Sequence, residues 1–70
     1  MDILLEFWEK AKGIYTHPYL DQHEKDVRLA RVMTAMEAYY NIPMFHNTEW
    51  IANNQKTYRV YLAISNMRQL

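Results

Sequence analysis

A chain of 70 residues with zero formal net charge and no cysteine is too short for more than one domain and has no disulfide framework. It also carries no global field to steer it towards nucleic acid or anionic lipid. Half of the residues are apolar and 23% are charged, a balance that belongs to an ordered globular chain and not to a disordered one.

The opening segment Met1–Glu6 has no basic stretch, and Glu6, Glu9 and Lys10 interrupt its apolar run, so no signal peptide is expected. No segment approaches the roughly 20 apolar residues that a membrane span needs. The expectation is a single soluble domain over residues 1–70, cytoplasmic, all-α and without a cofactor. Its architecture is expected to be a compact three-helix bundle.

The first helix is expected from Asp2 to Gly13 or Tyr15. The Asp2 carboxylate can accept from the unpaired N–H groups of the first turn. Leu4, Phe7, Trp8, Ala11, Ile14 and Tyr15 recur at three- and four-residue spacing. Gly13 reads either as a C-cap or as an interior glycine, and Pro18 drives His17 out of helical geometry.

The second helix is expected from Asp21 to Asn41. Asp21-Gln22-His23-Glu24 has the spacing of a capping box. Leu29, Met33, Met36 and Tyr40 form its apolar stripe, broadened by Val27, Ala30, Val32 and Tyr39. Pro43 sets its end by excluding Ile42 from the helical region.

A third helix is expected from Thr48 to Met67, capped by Asn47 or Thr48, with room for a break at Asn53 and Asn54. Trp50, Tyr61 and Ile64 would then meet the second helix. The same stretch also reads as a strand, because Tyr58, Val60, Leu62 and Ile64 alternate with Arg59, Tyr61, Ala63 and Ser65. Helix is preferred, since a lone strand needs a hydrogen-bonding partner that the rest of the chain does not offer.

Chemistry-bearing patterns are sparse. His17, Asp21, His23, Glu24 and Asp26 supply metal-ligand atoms, but the residue four beyond His23 is Val27, so the second imidazole of a helical zinc motif is missing. Ser65 is the only serine, Gly13 the only glycine, and Thr16-His17 lacks an orienting third group. No catalytic, cofactor or metal residues are assigned, and the chain is read as a non-enzyme.

Six tyrosines, two tryptophans, two phenylalanines and five methionines exceed what the helical stripes use. The remainder gathers at the connection between the second and third helices, where a turn ordinarily collects Gly, Asn, Asp and Ser. Tyr39, Tyr40, Ile42, Met44 and Phe45 are therefore the candidate protein-binding residues, because aromatic and Met side chains make large interface contacts. They point to a small regulator or inhibitor that binds a larger protein. Core closure by Ile42, Met44 and Phe45 is the competing role, and a homodimer through the same surface is a related expectation.

The alternative function is nucleic-acid binding. Lys56, Tyr58, Arg59, Tyr61 and Arg68 interleave cations with rings near the chain end, and no acidic side chain follows Glu49. Lys25, Arg28 and Arg31 add charge on the second helix, but Glu24 and Asp26 stand beside them. The connection is also longer than a helix-turn-helix turn.

Overall fold

The structure, a computed structural model, describes residues 2–69; the two ends of the expected 1–70 domain, Met1 and Leu70, lie outside the described residues. The chain is all-α. Its helices are α1 (Ile3–Tyr15), α2 (Gln22–Tyr40), α3 (Thr48–Asn53) and α4 (Gln55–Met67). Residues 57–65, where helix is preferred over a strand, form the middle of α4.

Local chemistry explains each boundary. Asp2 caps α1 by accepting from Leu5 N–H at 3.1 Å. Gly13 proves to be interior, and α1 closes at Thr16, whose N–H and hydroxyl both donate to the Lys12 carbonyl at 2.9 and 2.8 Å. Asp21 caps α2 through Glu24 N–H at 2.8 Å. The capping box is only half made, because the Glu24 carboxylate accepts instead from Arg28 Nε at 2.9 Å.

At the other end of α2, Asn41 adopts the left-handed region at φ 56°. Ile42 N–H then reaches back to the Glu37 carbonyl at 3.1 Å, which is the Schellman closure. Proline two residues further on prevents any resumption of the helix.

The expected third helix is broken at Asn54, giving α3 and α4 in place of one rod. In an unbroken helix the Trp50 carbonyl would accept from Asn54 N–H. Here the Asn54 side-chain amide takes that carbonyl at 2.8 Å. Its own N–H falls back to Ile51 at 3.1 Å, so a local side-chain bond has displaced one rung of the helix.

The buried core is Ala11 from α1, Leu29, Val32, Met33 and Met36 from α2, and Ile64 from α4. Leu29, Met33 and Met36 follow the expected stripe, and α2 packs on both α1 and α4 while α1 also meets α4. Leu4, Phe7, Trp8, Ile14, Tyr40, Ile42, Val60, Tyr61 and Met67 close in around this core. The short α3 packs on α4 alone. The expected contact of Trp50 with α2 is therefore absent, since the break at Asn54 carries α3 away from the bundle axis.

Candidate protein-binding surface

The connection between α2 and α3 divides between core and surface. The Schellman turn swings Ile42 inwards, where it packs against the core. The chain then bends at Met44 and Phe45, whose side chains are 90% and 81% exposed. It re-enters the fold at Asn47, whose carboxamide oxygen accepts from Trp50 N–H at 2.9 Å and starts α3. Two large apolar side chains thus sit at the tip of a segment that hydrogen bonds tie down at both ends.

Beside this tip lies a wall of rings. Trp50 stands edge-on to Tyr58 at a centroid separation of 6.3 Å, and Tyr58 stacks with Tyr61 at 6.5 Å. A shallow concavity of about 150 Å³ lies between wall and bend, lined by Ile42, Met44, Phe45, Trp50, Tyr58 and Tyr61 among others. The Tyr61 hydroxyl donates to the Glu37 carboxylate, pinning α4 to α2 below the concavity. Burial pushes the Tyr61 phenol up to about 12, with the hydrogen bond and negative charge of Glu37 adding to the effect.

Tyr39 and Tyr40 belong to a second cluster. Their rings meet at 4.9 Å, and each stands about one ring from Phe7, at 6.1 and 6.0 Å. Tyr40 faces the core and its phenol is raised by burial, then by Tyr39 and Asp2, while Tyr39 remains 58% exposed. The five candidate residues therefore fall into two groups. Met44 and Phe45 are presented to solvent, Ile42 supports them from below, and Tyr39 with Tyr40 joins Phe7 on the α1 side.

The surroundings of the bend could not be found from local sequence. Trp50 was expected in the core and Tyr58 was grouped with cations, while Tyr61, also counted among that set, was expected against the second helix and does meet it at Glu37. Their assembly depends on the break at Asn54 and on which face of α4 meets α2.

The cations and rings that alternate in α4 separate in space. At about 100° per residue, Tyr58 and Tyr61 fall on the side of the helix opposite Lys56 and Arg59. Lys56 and Arg59 line a different groove, against α1. Arg68 is turned back onto α2, its Nη1 3.7 Å from Met33 Sδ and its Nε buried without a hydrogen-bond partner among the described residues. The five residues of the nucleic-acid set thus occupy three places.

Among the described residues no three of His, Asp and Glu converge as metal ligands, and no helix is long and apolar enough to cross a membrane. In comparisons with protein-family models, curated proteins and solved structures, the chain matches none.

Proposed function

We propose that this chain is a non-enzymatic protein-binding module that seats the Met44–Phe45 bend in an apolar pocket of a larger protein, regulating or inhibiting that protein by covering its surface. The observation that carries this reading is the near-complete exposure of two adjacent large apolar side chains on a segment closed at Asn41 and capped at Asn47. Burying a Phe or Met side chain contributes about 1.5–3 kcal/mol. A bend already held at both ends loses less conformational freedom on docking than a loose loop does. Trp50 and Tyr58 flank the anchors as a rim with polar tips, suited to the wet edge of an interface.

Nucleic-acid binding through α4 has less support, because stacking and phosphate neutralisation would have to come from opposite faces of one helix.

The test is site-specific crosslinking in the native cell lysate. A photoreactive phenylalanine at position 45 is expected to trap a discrete protein that the same probe at exposed Lys10 does not trap. Excess unlabelled chain should compete, whereas excess Phe45→Ala chain of unchanged circular dichroism should not. Equal competition by both chains would overturn the assignment of Phe45 as an anchor.

A further inference from the structure

The bend between α2 and α3 sets one sulfur apart from the others. The chain has five methionines and no cysteine, so its oxidisable sulfur is all thioether. Met36 is fully buried and Met33 is 8% exposed, with Arg68 Nη1 lying 3.7 Å from the Met33 sulfur. Met67 is half-buried and packs against the core. Met44 is 90% exposed; Met1 lies outside the described residues.

Exposure decides which thioether an oxidant can reach. A peroxide has to bring an oxygen to a sulfur lone pair, and at Met33 and Met36 that requires the fold to open. At Met44 it requires no movement of the chain. Since most of the Met44 surface faces solvent, one added oxygen there displaces no packed side chain.

Met44 is also one of the two anchors of the binding surface. Oxidation converts its flexible apolar side chain into a polar one whose sulfoxide oxygen accepts hydrogen bonds. Water satisfies that oxygen in the free chain, whereas an apolar pocket leaves it without a donor.

We propose that Met44 is a redox modification site, at which hydrogen peroxide oxidises the thioether to the sulfoxide and thereby releases the bend from its partner. A sulfur lone pair attacks one peroxide oxygen, and the S–O bond forms as the O–O bond breaks. The departing hydroxide takes the proton carried by the transferred oxygen and leaves as water. Sulfur loses two electrons and the peroxide gains them. A dithiol used by sulfoxide reductases reverses the step, the oxygen leaving as water and the dithiol becoming a disulfide. The release rests on the protein-binding function; the choice of Met44 rests on exposure alone.

The test has two stages. The full chain is treated with a series of hydrogen peroxide doses, quenched and mapped by peptide mass spectrometry. Met44 is expected to gain one oxygen at least about tenfold faster than Met33 and Met36, which react only through openings of the fold. At the dose that converts Met44 and spares those two, circular dichroism and the urea midpoint should be unchanged.

That oxidised chain, freed of peroxide, then serves as the unlabelled competitor against the position-45 crosslink. On the order of tenfold more of it than of untreated chain should be needed, the effect of burying one unpaired polar group. Prior treatment with the two methionine sulfoxide reductases, one for each epimer, and a dithiol should restore competition. Met44→Leu, whatever its own affinity, should compete equally before and after peroxide, which assigns the effect to position 44 and not to Met1 or Met67.

Met44 reacting no faster than Met33 or Met36 overturns the proposal at the first stage. Equal competition by oxidised and untreated wild-type chains overturns it at the second and leaves the protein-binding function standing, as does a loss that the reductases fail to reverse. If untreated chain competes for no crosslink at all, the protein-binding function fails and the release fails with it.

Discussion

Ile64 offers the most direct test of how the bundle is held together. It is fully buried and is the only buried residue of α4, so the attachment of α4 to α2 and α1 is centred on this side chain. Ile64→Ala removes three carbon groups, about 2.4 kcal/mol of transfer free energy at roughly 0.8 kcal/mol each. The cavity left behind brings the expected loss to about 2–5 kcal/mol. At roughly 0.05–0.15 kcal/mol per residue, a domain of this size has only about 4–10 kcal/mol to lose.

Leu62, two residues earlier on the same helix, is 41% exposed. Leu62→Ala removes the same number of carbons and should cost less than about 1 kcal/mol. Urea unfolding of wild type and both variants, followed by tryptophan fluorescence and circular dichroism at one fixed protein concentration, separates the two cases. Equal losses at the two positions would refute the placement of the core, because the same number of carbons is removed at each and the gain in helix propensity, larger on replacing β-branched Ile than Leu, works against the expected order.

Three further outcomes follow from particular residues. Gly13 lies inside α1 without positive φ, and an added Cβ would meet nothing within 4 Å. Gly13→Ala should therefore raise stability by about 0.5–1 kcal/mol, seen as a melting temperature higher by about 2–8 °C. At Asn41, with φ 56°, replacement by Gly should leave the urea midpoint unchanged or higher, whereas Val should lower stability by about 1–2 kcal/mol. The Tyr61 phenol, pushed up to about 12, keeps its proton more tightly in the folded chain than in the unfolded one. Its contribution to stability is thus complete below about pH 10, the ordinary tyrosine value, and falls as pH rises from there through about 12. Phenolate absorbance in an alkaline titration should lose part of its late-ionising component in Tyr61→Phe, the raised Tyr40 phenol keeping the rest, and the variant's stability should fall less steeply over that window.

The caps were readable because they depend on neighbours in sequence. Asp2, Asp21 and Asn47 each accept from an N–H three residues on, a geometry set by one turn of helix. The Leu29, Met33 and Met36 stripe was equally plain, since a 3.6-residue period needs only a single helix to define an apolar face. Gly13 left two roles open, and the choice was made by Thr16, whose double bond to the Lys12 carbonyl extends the helix past it.

Residues whose roles depend on distant partners were less legible. Periodicity places Tyr58 and Tyr61 on one face of α4, but nothing local says that this face adjoins the α2–α3 bend. Sequence adjacency of Tyr58 with Arg59 suggested a shared surface, yet a helix turns neighbouring residues about 100° apart. Met44 and Phe45 carry the same apolar composition as Ile42. Only the Schellman turn and the cap at Asn47 decide that one side chain enters the core while the other two face solvent.

By itself, then, the sequence determined an all-α chain, the starts of α1, α2 and α3 and the inward stripe of α2, because hydrogen bonding and helical period act over one or two turns. Tertiary structure decided where the surplus aromatics went. Asn54 diverted α3 and took Trp50 out of the core; packing of α4 on α2 then placed Trp50, Tyr58 and Tyr61 beside the bend. The same packing put Lys56 and Arg59 across a groove from Leu4, Leu5 and Trp8 of α1. Such surfaces arise from the angles between helices, and those angles follow from how all the core side chains fill space together.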